Sequence, residues 1–358
     1  VTGGLLDEPV ARAWAHGAQR ALDAARERID AVNVFPVADA DTGTNTLLTV
    51  RGAADALDAL PDGSGDDAAL AALARGALLA ARGSSGIILS RYLGALAGAA
   101  RDGADLPTAL ATAAAGAREA VPDPQDGTML TMAAVVAEAV RAGGAAVPSG
   151  EGPGVPGDRA VPGAEAADRS AAVLAAALDV GRGALDRVSA AHPVLREARV
   201  VDSGACALLV VLDALAVALA TAGRPAAPTA GTIAGPIAAP SAPQVDLDWL
   251  PAAPRPSGDR ACGVPITPGA VEVMAVLPGS ALPDLADRLH GLGDAVAVVA
   301  GVDADGGPVR HAHVHTTDPA PVLALLRDAG AHEARVEALD AAAPGAVVDL
   351  VTSDREDA

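Results

Sequence analysis

Up to about residue 222 the chain reads as runs of Ala, Leu and Val recurring every three to four positions, cut at intervals by Gly, Pro, Asp and Ser. That is the pattern of helices that bury one face. The runs and breakers predict eight helices, near 5 to 30, 43 to 59, 66 to 81, 84 to 100, 105 to 120, 127 to 142, 168 to 190 and 203 to 222. Past residue 260 the period shortens. VEVMAVL, AVAVVAGV, VRHAHVHT and ARVEAL read as strands, ALPDLADRLHGLG and DPAPVLALLRDAG as helices, and DADGG as a turn. The order βαββαβ predicts a small ferredoxin-like α+β sandwich. Two stretches rich in Pro and Gly interrupt the pattern: 143 to 167, read as a long loop, and 223 to 260, read as an interdomain linker. The expected architecture is multidomain, with an all-α domain at 1–222, the linker, and an α+β domain at 261–358.

Composition narrows the choices. The 358 residues are 51% hydrophobic but only 1% aromatic, so the core must be built from small and branched aliphatic side chains on closely packed helices. The formal charge is −20, which repels nucleic acid, and stacking platforms are nearly absent. Every basic side chain of the Lys/Arg type is arginine, which excludes a Walker P-loop and a Schiff-base enzyme. Cys206 and Cys262 stand far apart and do not form a disulfide framework. The N-terminal residues lack the pattern of a signal peptide, and no run offers about 20 clean apolar residues for a membrane span, so a cytoplasmic protein is expected.

The polar, glycine-containing breaks fall at particular places. DADTGTN precedes the second predicted helix, RGSSG the fourth, DGT the sixth and DSGA the eighth. In an up-and-down array the even helices begin at one end, so the four breaks converge. Helix N-termini present unpaired N–H groups and partial positive charge, and together they form an anion site without lysine. Asp39 and Asp41, two residues apart in the first break, suit Mg²⁺ as hard oxygen ligands. The plainer reading makes Asp41 or Thr42 an N-cap and places Asp39 in an Asx-turn. Arg82, beside the second break, either faces a transferring phosphoryl group or lies exposed at a helix end.

NVFPVADADTGTN, ARGSSGIILS, DGTML and VDSGACALL resemble, in order, the motifs of the nucleotide-binding helical domain shared by dihydroxyacetone kinases and the bacterial fatty acid kinase catalytic subunit; NVFPV and HVHTTDP resemble the fatty acid kinase branch. The resemblance covers about 5 to 222 and 261 to 340. It implies an eight-helix antiparallel barrel with Mg-ATP at one end. Asp39 and Asp41 would hold magnesium, and Thr42, Gly43, Thr44 and Asn45 would begin a phosphate-binding turn. Ser84, Ser85 and Gly86 would contact phosphates, Gly127, Thr128 and Met129 would line the nucleotide pocket, and Asp202, Ser203 and Gly204 would close it. The sequence departs from the usual family motifs at Ala40, Ser84 and Ala205. Where the dihydroxyacetone branch has a third aspartate, Asn33 stands nearest, with Asp30 the alternative third magnesium ligand.

His311, His313 and His315 alternate along one predicted strand and so share a face. They form either a histidine stripe or, with the thiolate of Cys262, ligands of a zinc ion. The resemblance favours Cys262, His313 and His315 as zinc ligands, with His311 in reserve. It further implies transfer of the γ-phosphoryl group of ATP to a fatty acid carboxylate presented by a separate fatty-acid-binding carrier protein, in phospholipid metabolism. The alternatives are a kinase for a small hydroxyketone such as dihydroxyacetone, or a nucleotide-binding regulatory or scaffold protein that transfers nothing. Relatives continue beyond HVHTTDP into a further domain that this chain is expected to lack. A homodimer is compatible with all three readings.

Overall fold

The computed structural model describes residues 5–35, 38–121, 124–146, 162–222, 245–251, 269–302, 307–339 and 346–350. The helical part contains α1 (Glu8–Asp30), α2 (Thr42–Asp58), α3 (Asp66–Ala80), α4 (Gly83–Arg101), α5 (Leu106–Glu119), α6 (Met129–Ala146), α7 (Pro162–Ser189), α8 (Pro193–Ala198) and α9 (Ser203–Thr221). The short α8, which the sequence pattern does not predict, starts on Pro193 and ends at Arg199 in a left-handed conformation. The expected loop at 143 to 167 is shorter at both ends, because α6 runs on to Ala146 and α7 begins at Pro162. Proline at a first helical position suits α7, since its missing N–H would be unpaired there anyway.

Each long helix packs on the next in sequence, and α9 closes the ring by packing on both α7 and α1. Helix α9 is apolar almost all round, as a mostly enclosed helix should be, and its one charged side chain, Asp213, pairs with Arg182 of α7. It is long and apolar enough to cross a membrane, but 83% of its most apolar window is buried inside the bundle. Trp14 of α1 lies in the same core and donates its indole N–H to Val211 O at 2.9 Å.

Small residues make the ring tight. A Cβ added to Gly52 of α2 would come within 2.2 Å of the Ala80 Cβ, and one on Gly76 of α3 within 2.2 Å of the Gly52 carbonyl oxygen. At the end where α1 starts, the Glu8 carboxylate accepts from Gly63 N and Gly65 N, while Arg12 donates to the Leu57 and Leu60 carbonyls. One acid and one base thus satisfy the turn between α2 and α3. Part of the expected linker packs at the other end of α1: Arg28, in its last turn, donates to Leu247 O and Pro251 O, and Leu250 is buried.

The second part is a five-stranded antiparallel sheet of β1 (Val271–Pro278), β2 (Asp294–Val302), β3 (Pro308–Thr316), β4 (Glu333–Ala338) and β5 (Ala346–Asp349), in the order β2-β3-β1-β4-β5, with α10 (Leu285–His290) and α11 (Pro319–Asp328). The first four strands follow the split βαβ topology expected from the sequence; β5 is an added edge. Val273, Ala275 and Leu277 of β1 and Ala312 and Val314 of β3 pack with α10 and α11. The opposite face, with Glu272, Met274 and Val276 paired to His315, His313 and His311, turns toward the helical part. Ala81, Ile87, Ala120, Ala297 and Val299 join the two parts in a small apolar cluster.

Replacing Gly76 by Ala should destabilise the protein in urea melts. Overpacking costs about 1–3 kcal/mol, more than the helix propensity gain of about 1 kcal/mol; an unchanged midpoint would show that α2 and α3 can separate freely.

Candidate functional site

Helix α2 needs a partner for its first amides. Asp41 occupies the N-cap position, yet its side chain makes no capping bond. Asp30, at the end of α1, does this instead: its Oδ1 accepts from Gly43 N at 2.6 Å and Thr44 N at 3.1 Å, and its Oδ2 from Thr44 Oγ1 at 2.9 Å. Two expectations change as a result. Gly43 and Thr44 do not begin a phosphate-binding turn, because their amides are already committed to Asp30. Nor is Asp30 oriented as a third magnesium ligand, since both of its oxygens face α2.

Asp41 is therefore left to face a cavity of about 280 Å³ between the site end of the bundle and the sheet. Asn33, Asp39, Asp41 and Thr42 line it from the first break, and Gly83, Ser84 and Ser85 from the second. Thr128 and Met129 line it from the third, Asp202, Ser203 and Gly204 from the fourth. All four breaks meet there. Asn45, Gly86 and Gly127 support this wall without lining it. Asn45 donates its amide to Asp41 Oδ2 at 2.8 Å, and Asn33 donates to Asp39 Oδ1 at 2.5 Å. A Cβ on Gly86 would meet Thr49 Oγ1 at 2.8 Å, and Gly127, at φ 86°, backs directly onto His192. Phe35 packs against that His192 ring in a tilted arrangement, 4.0 Å between centroids.

Asp202 is the N-cap of α9, accepting from Ala205 N at 2.7 Å, so its role is to cap. Ser203 joins the first and fourth breaks by donating to Thr42 Oγ1 at 3.1 Å and Asn33 Oδ1 at 3.3 Å. Arg82 does not reach this cavity. Its guanidinium donates back to Ala81 O at 2.8 Å and lines a separate cleft. As the residue before α4 it has an extended backbone that directs its side chain to the other side of Gly83.

Burial, together with the neighbouring Asp39 and Glu272 charges, pushes the Asp41 carboxyl up to about 9. Asp39 is also raised, chiefly by desolvation. Burial raises Asp202 to about 7 against the pull of its amide bonds. Two acids facing each other with only neutral amide partners form a site that gains from a proton or a cation.

The sheet contributes Glu272, which the sequence reading missed, beside His315, which it had singled out. Glu272 and His315 line the cavity. Glu272 Oε1 lies 2.6 Å from His313 Nε2 and 3.9 Å from His315 Nε2. Ligand atoms of Glu272, His313 and His315 all fall within 4.8 Å of one another, and all three residues are buried. Desolvation opposes ionisation of Glu272, but the imidazoles hold its carboxyl below the usual value. The one signal in the sequence was a single charge inside an apolar strand. Cys262 lies outside the described residues. His311, on the same face, is turned to the cleft beside Arg82 and away from this cluster.

Residues 36–149 match the model of the DAK2 domain. The chain is 31% identical over 198 residues to protein YloV of Bacillus subtilis (strain 168), an alignment covering 53% of this chain and 32% of that protein. It is 29% identical over 189 residues to an uncharacterized protein of Staphylococcus saprophyticus, covering 51% of this chain and 30% of the relative. The chain thus spans about a third of the length of these relatives. Among solved structures it is similar to the dihydroxyacetone kinase of C. freundii in complex with AMP-PNP and Mg²⁺, at 20% identity and a TM-score of 0.41, covering 57% of this chain and 33% of that one.

Two predictions follow from the geometry. Ala40 sits at φ 55° between the two acids, a conformation that penalises a Cβ by roughly 1–2 kcal/mol. Ala40→Gly should therefore raise stability by about 1 kcal/mol in denaturant melts. In cation-free buffer the folded state holds a proton on Asp41 that the unfolded chain has lost, so the Asp41 contribution is complete below about pH 4 and fades as pH rises toward about 9. The melting temperature should fall across that window, less steeply in Asp41→Asn; an equal slope in both would remove Asp41 as the source.

Proposed function

We propose that this chain is the nucleotide-handling part of an ATP-dependent phosphotransferase, with Mg-ATP in the cavity and its phosphates toward Asp39 and Asp41. The observation that carries this reading is the meeting of four helix-start breaks around an acid pair that caps nothing. The DAK2 match over 36–149 takes in three of those breaks. The donor set suits the ion: hard carboxylate oxygens, half-buried, with neutral amides as partners. When bound, Mg-ATP supplies the phosphoryl group and the positive charge that keeps both acids ionised.

The residues of this chain divide the remaining work. Asp39 and Asp41 would hold the cation, and Asn33 and Asn45 fix the orientation of the two carboxylates. Ser84 and Ser85 bring hydroxyls, and the first turn of α4 brings amides, for phosphate oxygens. Thr128 donates its own hydroxyl to Gln125 O, which fixes the loop beside Met129. Ile88, Val121 and Met129 form the apolar wall on which a base would rest.

For the acceptor we infer a fatty acid carboxylate presented by a separate carrier protein. The order of the NVFPV and HVHTTDP motifs supports this reading. So does the tight bundle, where the void beside Trp14 and Val211 measures about 10 Å³, far too small for an acyl chain. One observation favours a scaffold that binds nucleotide without transfer: Arg82 lies outside the cavity, so it cannot meet the charge of a transferring group there. A dihydroxyacetone-type acceptor is the remaining alternative. Formation of an acyl phosphate from ATP and a lipid-loaded carrier singles out the first reading, ATP-dependent phosphorylation of dihydroxyacetone the last, and neither product with ATP still bound the scaffold.

The cluster of Glu272, His313 and His315 suits zinc in its chemistry, with two imidazoles and a carboxylate. We infer that His313 and His315 hold such an ion together with Cys262. Protein dialysed against metal-free buffer should retain about one equivalent of zinc that His313→Ala loses; zinc-free wild-type protein would reject the centre.

In calorimetry, the double variant Asp39→Asn, Asp41→Asn should lose Mg-dependent ATP binding by at least about 100-fold, as expected for the loss of both ionic ligands. Unchanged affinity would remove the proposed nucleotide site.

A further inference from the structure

Arg82 points into a second cleft, of about 160 Å³, between the end of α3, the start of α4 and the sheet. Across it stands Arg335 of β4, paired in register with Met274, and His311 of β3 forms the floor. The imidazole of His311 is only 7% exposed, and its Nε2 has no hydrogen-bond partner in the structure. Leu79, Ile87, Met274 and Val276 supply apolar walls. Leu79 and Val276 are unusually open for large aliphatic residues, at 38% and 42% exposure.

The charges in this cleft are not balanced locally. Arg335 has Glu337 at 3.1 Å, whereas the nearest bond of Arg82 is to a backbone carbonyl. Arg82 and Arg335 repel each other enough that, after desolvation, this is the next largest cause lowering the Arg82 guanidinium. Glu272 and Glu337 oppose that effect from the neighbouring register positions. The His311 imidazole lies buried near the Arg82 charge, and leaving its Nε2 without a partner is costly unless a ligand supplies one.

We propose that this cleft binds a small organic anion, with its oxyanion head between Arg82, Arg335 and His311 Nε2 and its apolar stem along Leu79, Ile87, Met274 and Val276. Guanidiniums accept carboxylate and phosphate heads alike, since both present paired oxygens. The stem distinguishes the ligand from a free ion. The cleft adjoins the acid-lined cavity, with Ile87 lining both, but the polar groups divide between them: Arg82 belongs to one, and Gly83, the next residue, to the other.

Calorimetry on the full chain without nucleotide tests this, using inorganic phosphate, butanoate, octanoate and octyl phosphate as probes. Octanoate or octyl phosphate should bind at least tenfold more tightly than butanoate and inorganic phosphate, and the tighter of the two identifies the head group. Arg335→Gln, at the rim, and His311→Gln should each weaken binding at least tenfold, while Asp39→Asn with Asp41→Asn leaves it unchanged. If His311→Gln does not fold, Arg335→Gln alone decides. Absence of binding, equal affinity for inorganic phosphate, or affinity unaffected by Arg335→Gln would each overturn the proposal.

Discussion

The grip of Asp30 on the first amides of α2 is the interaction on which the candidate site depends. A helix start with free N–H groups will take whichever acceptor is nearest. Were that acceptor Asp41, the carboxylate would fold back onto its own helix and the cavity would lose half of its acid pair. Because Asp30 reaches across from α1 to Gly43 N and Thr44 N, Asp41 can occupy the N-cap position without capping. The same bonds tie α1 to α2 at the end where Ser203 joins α9 to both the Asn33 loop and α2. Pre-organisation of the acids thus comes from capping geometry, and Asp39 and Asp41 are held close despite their mutual repulsion.

The ring of helices supplies the second constraint. With almost no aromatic residues, the core gains its packing from contact between backbones, as at Gly52 and Gly76. Such contacts leave little freedom to slide one helix along another, because each glycine must face its partner. The helix starts are therefore held at fixed heights, and loops from four parts of the chain can line one cavity of about 280 Å³. Packing and site geometry are two results of the same small-residue pattern.

Much of this was legible along the chain because it is local. Helix periods, the glycine breaks and the alternation of HAHVH depend on neighbouring residues, and the four breaks do line one cavity. What sequence reading missed is non-local. The partner of Thr44 is Asp30, 14 residues away on another helix, so Gly43 and Thr44 looked like phosphate ligands. Arg82 looked available because its backbone direction at the start of α4 cannot be read from RGSSG. Glu272 enters the cavity only because the polar face of the sheet packs on the bundle. The packed segment 245 to 251 was hidden by its Pro- and Ala-rich surroundings, although its Leu and Trp were a clue.

Glu272 also links the two groups of titrating side chains. Its charge raises Asp39 and Asp41, and its own carboxyl is held down by His313 and His315. Any change that draws the Glu272 charge toward the imidazoles lessens the repulsion felt by the aspartates, and any change that frees it has the opposite effect. Such coupling needs no moving part, since it acts through field and distance in a poorly solvated space. The strand β1 carrying Glu272 is fixed by pairing on both sides, to β3 and β4. The sheet is therefore more than a cover for the bundle: its charge state enters the electrostatics of the acid pair directly.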